Sequence, residues 1–207
     1  MTTEAIQELH ELLPKSLMTF CEVVETIKKG AWLFKAGDKP ACMYFVVSGE
    51  VILERPGLQG GSVILQRTRR GFVSEASLKS LKYHCHAQVV TNSKIVHIPI
   101  HKIRDALDTD PAFASRWIGM LNKEVKRLRL QCERLSLSKV RDRFVHLLET
   151  EGEDGRFPIS AGIKSLAAEL GVTHEALYRC IYEMEKQGVL KRTETHLCLI
   201  SVATPGF

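Results

Sequence analysis

Short apolar runs dominate the hydrophobic pattern of residues 18–100. They are rich in β-branched and aromatic residues and are separated by GDKP, SGE and TNS; the runs read WLF, MYFVV, EVILE, SVILQ, AQVV and KIVHIPI. Runs of this kind between turn signals are typical of β-strands, and PGLQGG suits a hairpin loop. The spacing predicts a small barrel or jelly roll. Before it, MTTEAIQELHELL predicts a short amphipathic helix with Ile6, Leu9 and Leu13 on one side.

A helical pattern begins at Pro111, which follows Asp108-Thr109-Asp110 and so favours a helix start. Apolar residues then recur at spacings that alternate between three and four: Ile118, Leu121, Val125, Leu128, Cys132 and Leu135. This narrow seam predicts a helix-pair dimer interface, although a helix packed on its own domain shows a similar spacing. Cys132 would face its symmetry mate there, either as a small seam residue or as half of an interchain disulfide.

The last third of the chain predicts a helix–turn–helix followed by a hairpin. Ser138 is suited to cap a first helix, Gly171 to end a second and Thr173 to cap a third. The third helix has an apolar inner face: Leu177, Ile181 and Met184. Residues 189–200 then read as two short strands. This order of elements is typical of a winged DNA-binding unit.

The start of that third helix turns five polar or aromatic residues outward: Thr173, His174, Glu175, Tyr178 and Arg179. Arg179 can donate a bidentate pair to guanine, and Glu175 can accept from the amino group of cytosine. Tyr178 and His174 can reach a phosphate or a base, and Thr173 with the free amides of the helix start suits a phosphate. We therefore expect this face to read DNA; the plain alternative is a solvated helix face with mixed charges.

Charge and composition limit the possible partners. The chain has 207 residues and a net charge of +5, and residues 111–145 carry nine basic and three acidic side chains. Residues 160–207 carry five of each, so DNA contact there must come from the placement of cations rather than from bulk charge. No apolar run approaches the roughly 18 residues that span a bilayer, and the N-terminus lacks a secretory pattern. We therefore expect a cytoplasmic protein without membrane contact, whose six cysteines are free thiols.

The stretch KYHCHAQ, residues 82–88, places His84, Cys85 and His86 in succession. In a regular strand the two histidines would share one face, about 7 Å apart, and Cys85 would point the other way. All three side chains therefore cannot bind one metal ion, and the glutamate that a cupin-type enzyme needs after HxH is missing. Cys85 is a candidate for redox sensing if a histidine lowers its pKa, for metal ligation, or for simple packing.

The chain resembles the catabolite activator/FNR (CRP/FNR) family of transcriptional regulators from about residue 15 to 200. The resemblance is carried by LFKAGD, by YFVVSGEV, by the seam helix and by LAAELGVTHEALYRCIYEMEKQGVL. It implies an α+β chain with a cyclic-nucleotide-binding-like β-roll in 1–110, a dimerisation helix in 111–136 and a winged helix-turn-helix in 137–207.

This likeness implies a homodimeric transcription regulator and not an enzyme. Its expected partners are a palindromic operator in double-stranded DNA, a second copy of the chain and RNA polymerase. By the likeness Glu175 and Arg179 match base-reading positions, whereas His174 replaces a common arginine and changes the expected half-site.

Four residues fall on the effector pocket of this family: Ser74, Glu75, Cys85 and His86. Glu75 keeps the place of the ribose-binding acid, but Cys85 stands in the place of the phosphate-binding arginine. A buried cyclic phosphate needs a bidentate cation, so the expected regulator does not respond to cAMP. Only Cys21 and Cys42 lie near the N-terminus, too few for an FNR-type iron–sulfur cluster.

The sequence names no cofactor or effector. One alternative is a β-roll metal, haem or redox sensor whose helical tail serves protein contacts, with His84 and His86 as candidate metal ligands. Another is a regulator without any effector.

Overall fold

The computed structural model describes residues 2–21, 24–57, 61–159 and 162–200. The chain forms two compact units, residues 1–124 and residues 125–207. The first unit opens with helix α1 (Thr2–Leu12), a 3-10 turn (Lys15–Leu17) and the short helix α2 (Met18–Cys21). The predicted amphipathic helix is confirmed, since Leu9 and Leu13 are buried and Ile6 packs beside them. The strand region begins later than residue 18, because α2 precedes it.

Six strands form the predicted β-roll: β1 (Val24–Ile27), β2 (Trp32–Phe34), β3 (Cys42–Pro56), β4 (Ser62–Thr68), β5 (Gly71–Val73) and β6 (His86–Pro99). The long strands β3 and β6 pair antiparallel along most of their length. Strands β1 and β2 pair with β6, whereas β4 and β5 pair with β3. The β3–β4 hairpin places its turn at PGLQGG as predicted, although residues 58–60 of that loop lie outside the described residues.

Both faces of β3 are covered, which explains why its apolar run MYFVV does not alternate with polar residues. Phe45 and Val47 point to a cluster that also contains residues of α1 and α2. Tyr44 and Val46 point to the opposite cluster, inside the roll. Successive side chains of a strand point to opposite faces, so one run of residues supplies both clusters.

The pairing of β3 with β6 changes register around Gly49, where the two backbones come very close. Gly49 has a φ of 97°, and a Cβ built there would lie 2.2 Å from Ser93 Oγ.

Glu50, the next residue, is held through both its backbone and its side chain. Its amide donates to Ser93 Oγ at 2.9 Å. The Glu50 carboxylate is fully buried and forms ion pairs with Arg67 and, at 3.3 Å, with Arg69.

Between β5 and β6 lies a 3-10 turn (Glu75–Ser77), and after β6 the chain continues into helices α3 (Ile100–Thr109) and α4 (Pro111–Ser136). Asp110 Oδ1 accepts from the Phe113 amide at 3.0 Å and so caps the start of α4, as the sequence predicts. Phe113 and Trp117 are buried in the first unit, with Trp117 edge-on to Phe72 at 5.2 Å. No helix among the described residues is both long enough and apolar enough to cross a membrane.

The second unit contains a helix–turn–helix and a small sheet: α5 (Val140–Glu151), β7 (Arg156–Pro158), α6 (Ile163–Leu170), α7 (His174–Lys186), β8 (Leu190–Arg192) and β9 (His196–Leu199). The predicted terminal hairpin is confirmed as β8 and β9. Strand β7 was not predicted; it pairs with β9 and makes the sheet three-stranded. The pattern missed it because only three residues of β7 pair.

The turn between α4 and α5 is held by Arg143 and not by the predicted Ser138 cap. Lys139 occupies the cap position of α5, and no side-chain cap bond forms there. Instead, Arg143 Nε donates to Leu137 O at 2.6 Å, and its Nη1 donates to Leu170 O at 3.1 Å. One guanidinium therefore joins this turn to the C-terminal end of α6.

Gly49→Ala is expected to destabilise the first unit by about 3 kcal/mol or more, since the methyl group adds a steric clash to an unfavourable φ. Gly30→Ala is the matched control, because Gly30 has a similar φ of 90° but open space around its Cβ. It should cost only about 1–2 kcal/mol of backbone strain. Urea unfolding of both variants measures the difference, and equal losses would contradict the close-approach argument.

Candidate nucleic-acid interface and effector site

Helix α7 is built as the sequence predicts. Thr173 Oγ1 accepts from the Ala176 amide at 3.2 Å and caps the helix, and Gly171 ends α6 in the left-handed conformation with a φ of 65°. Leu177, Ile181 and Met184 are buried in the core of the second unit. The opposite face of α7 is therefore left to solvent.

All five predicted DNA-reading residues are exposed at the start of this face: Thr173, His174, Glu175, Tyr178 and Arg179. Hydrogen bonds from its own amide and from the Thr173 hydroxyl lower the pKa of Glu175, which keeps this carboxylate ionised as an acceptor. The face therefore presents one ionised acceptor and the fixed cation of Arg179 less than two turns apart.

The hairpin adds a cation that the sequence reasoning missed. Arg192, the last residue of β8, places its guanidinium carbon 5.9 Å from the centre of the Tyr178 ring. The His174 ring also lies near Tyr178, with the two ring centroids 6.1 Å apart. Tyr182 is also missing from the predicted set, although it is 62% exposed one turn after Tyr178. The spacing of four residues between the tyrosines is a signal that could have found Tyr182, but nothing local links Arg192 to α7.

Three of the four predicted pocket residues lie on the segment that connects β5 to β6: Ser74, Glu75 and Cys85. Ser74 is buried and adopts a left-handed φ of 82°, the region that favours the glycine usual at this place in the resembled family. Glu75 follows at the start of the 3-10 turn. Cys85 is 1% exposed and belongs to the inner apolar cluster, where Phe34 and Tyr83 stack at 3.8 Å.

The Cys85 thiol does not have the chemistry of a reactive cysteine. Burial raises its pKa to about 11; Arg55 opposes this shift and Glu75 adds to it. The redox and haem hypotheses both require a thiolate, and the sequence argument assumed that a neighbouring histidine would lower this pKa. The structure contradicts that condition, because desolvation in the apolar cluster dominates.

His84 and His86 do not lie on one regular strand. Strand β6 begins at His86, so His84 lies in the bend before it and the regular-strand geometry expected for HxH does not hold. His86 Nδ1 accepts from the Ala36 amide at 3.2 Å and faces the edge of Trp32. Throughout the described ranges, no three His, Cys, Asp or Glu side chains come together as a metal ion would require.

Arg55 lies near Cys85, the residue that stands in the place of the phosphate-binding arginine of the resembled family. Arg55 lies on β3 on the same side as Val51 and Leu53, and its Nε donates to His84 O at 2.6 Å. The side chain is thereby tied to backbone at the rim of the roll. Sequence reasoning missed it because Arg55 is 30 positions from Cys85, and only the pairing of β3 with β6 brings the two segments together.

The seam of α4 remains largely uncovered in the single chain. Ile118 is 58% exposed, Val125 45%, Leu128 44% and Leu135 41%, and Cys132 is exposed as well. Leu121 differs, since it packs partly against the core of the first unit. The described helix thus presents an apolar stripe to solvent, a feature that marks protein interfaces.

Cys85 is expected to react with iodoacetamide at neutral pH roughly a hundredfold more slowly in the native protein than in the unfolded chain, because both burial and the raised pKa suppress the thiolate. Mass spectrometry of the labelled peptides measures the two rates. The unfolded protein in guanidinium is the control for intrinsic reactivity. Rapid labelling of native Cys85 would revive the redox hypothesis.

Comparison with known proteins connects these features to a family. Residues 24–110 match the cyclic nucleotide-binding domain family, which covers the roll and α3. The global nitrogen regulator of a Nostoc species is 26% identical over 167 residues, which cover 78% of this chain and 73% of that regulator.

Solved structures share the fold over most of the chain. FixK2 from Bradyrhizobium japonicum matches with a TM-score of 0.74 and 15% identity, over 86% of this chain and 93% of FixK2. A CRP/FNR-family transcriptional regulator of Thermus thermophilus matches with a TM-score of 0.64 and 22% identity, over 87% of this chain and 94% of that chain. At these identities the likeness concerns the fold alone.

The predicted fold class and the expectation of a regulator rather than an enzyme are confirmed by these relatives. The chain is therefore similar in fold to transcriptional regulators of the CRP/FNR family, and its residues 24–110 match the cyclic nucleotide-binding domain family.

Proposed function

We propose that the chain acts as a homodimer that reads a palindromic DNA operator, with the α7 of each protomer in one half-site. The observation that carries this proposal is the division of α7 into two faces. One face is buried in its unit, and the other presents Glu175, Tyr178 and Arg179 to solvent at the start of the helix. A recognition helix places its N-terminal residues against base edges in the major groove.

Each exposed residue has a role in this proposal. Arg179 reads guanine, Glu175 accepts from a cytosine amino group, and Thr173 with the amides of the helix start holds a phosphate. Arg192 approaches from the wing side, where its cation beside Tyr178 suits the DNA backbone. His174 takes the place of a common family arginine, so the half-site is expected to differ from that of relatives with arginine there.

The apolar stripe of α4 supports the dimer. Four of its residues are more than two-fifths exposed in the single chain, in the alternating spacing that two parallel helices bury against each other. Residues 111–136 would then be the dimerisation helix, residues 1–110 the sensor and residues 137–207 the reader. A seam of under three heptads is marginal alone, so other contacts between protomers must contribute.

The roll is proposed to sense something other than cAMP. Its interior holds Cys85 among stacked aromatic rings where a cyclic phosphate would require a cation, and Arg55 is bonded to the backbone of His84. An effector there would bias two states of the dimer that differ in operator affinity. RNA polymerase is the proposed partner at the bound operator.

Arg179→Ala is expected to reduce operator affinity by about 1–3 kcal/mol per half-site and to relax selectivity at one base pair, because a bidentate guanine contact is lost. Operator sites are first selected from a random DNA pool with the wild-type protein, and affinities are then measured by fluorescence anisotropy. Arg156→Ala, which removes an exposed arginine from β7, is the matched control. Unchanged selectivity in Arg179→Ala would refute the readout.

Leu128→Glu is expected to weaken the dimer by about 3 kcal/mol or more, since two carboxylates would face each other in a closed apolar seam. Arg129→Glu changes the charge at the adjacent position outside the seam and should leave the dimer intact. Sedimentation velocity distinguishes monomer from dimer, and circular dichroism verifies the fold. A dimer that survives Leu128→Glu would contradict the proposed interface.

A further inference from the structure

A hollow on the surface of the first unit is lined by three basic side chains, which come from three separate segments of the chain. Its volume is about 360 Å³, and its wall is formed by Lys39, Pro40, Lys79, Ser80, Leu81 and Arg104. Lys39 lies between β2 and β3, Lys79 follows the 3-10 turn, and Arg104 lies on α3. No acidic side chain contributes to this wall. The hollow is therefore a concentrated site of positive charge.

The segments around the hollow are held in place by the fold. Arg104 Nε donates to Leu78 O at 2.5 Å, which orients its guanidinium beside the Lys79 loop. The Ile100 amide donates to Ala41 O at 2.9 Å and joins the start of α3 to the Lys39 segment. Ile100 and Ile103 are buried, so α3 is fixed against the core. These bonds orient Arg104 and fix the backbone of the segments that carry the two lysines, which lowers the cost of ordering the site around a ligand.

Among the described residues, no ion pair neutralises the three cations. In the part of the chain that the structure describes, none of Lys39, Lys79 and Arg104 lies within ion-pair distance of a carboxylate. Elsewhere in the same unit, Arg67 and Arg69 share Glu50. Like charges around one hollow repel each other, so a bound anion would relieve an unfavourable arrangement.

The chemistry of the wall favours a phosphate group. An arginine fork can donate two parallel bonds to phosphate oxygens, and lysines add point charges around the remaining oxygens. The volume falls at the lower end of the range of small-molecule sites, which is roughly 300–1,000 Å³. Pro40 and Leu81 add apolar surface, and Leu81 is 89% exposed at the rim. This combination suits a phosphate attached to a small organic group.

We infer that this hollow binds the phosphate of a small phosphorylated metabolite through Lys39, Lys79 and Arg104. The site is separate from the Cys85 interior of the roll, and it does not depend on the DNA-reading face. Free inorganic phosphate has the same charge chemistry but lacks an organic group for Leu81 and Pro40 to contact. Ribose 5-phosphate therefore should bind more tightly than inorganic phosphate, and ribose should not bind.

Isothermal titration of the full chain with ribose 5-phosphate, inorganic phosphate and ribose tests the inference. We expect saturable binding of ribose 5-phosphate at one site per chain. The double variant K39A/K79A should weaken this binding about tenfold or more, since two charged contacts are removed. The double variant K28A/K94A is the matched control, because it removes two exposed lysines from the same unit and changes the net charge equally.

Three results would overturn the inference. The first is the absence of saturable binding at millimolar ribose 5-phosphate, and the second is equal weakening in K28A/K94A, which indicates unspecific charge attraction. The third is a loss of operator affinity in K39A/K79A without ligand, which would assign these lysines to the DNA backbone. Thermal unfolding shows whether each variant is folded. Arg104→Lys is a further test variant, because it keeps the positive charge but removes the guanidinium group that can donate two parallel hydrogen bonds. It should therefore still weaken the binding of ribose 5-phosphate.

Discussion

The antiparallel pairing of β3 with β6 is the constraint on which the first unit depends. Every other strand of the roll pairs with β3 or β6, so the sheet cannot form without this pair. The pair changes register near Gly49, where only a residue without a Cβ permits the approach of Ser93. The buried Glu50 follows directly and binds two arginines of the neighbouring segment, which joins the register of β3 to β4 through charge as well as hydrogen bonds.

This pairing also determines the chemistry inside the roll. Because β6 begins only at His86, Cys85 is the last residue before the strand and its thiol lies in the apolar cluster. His84 stays outside, where its carbonyl accepts from Arg55. The three residues of one short motif therefore have three different environments. The interior of the roll at this place is lined by an un-ionised thiol and aromatic rings.

The second unit is organised by short-range signals and by long-range contacts, among them those of Arg143. Gly171 and Thr173 end one helix and start the next, and the apolar period of α7 orients the reading face. Both are local effects, and the sequence predicted them correctly. Arg143 is the exception, since it joins the α4–α5 turn to the end of α6 in place of a Ser138 cap. A side chain that bonds carbonyls six and 27 residues away leaves no pattern in the sequence.

The sequence by itself determined the start of α4, the helix–turn–helix with its terminal hairpin, the buried face of α7 and the apolar stripe of α4. These follow from periodicity, capping and turn residues, which act within a few positions of the chain. Only the tertiary structure decided the protonation of Cys85, the approach of Arg55 and Arg192 to their sites, and the gathering of Lys39, Lys79 and Arg104. Burial and charge depend on which distant segments the fold brings together, and no local pattern records that proximity.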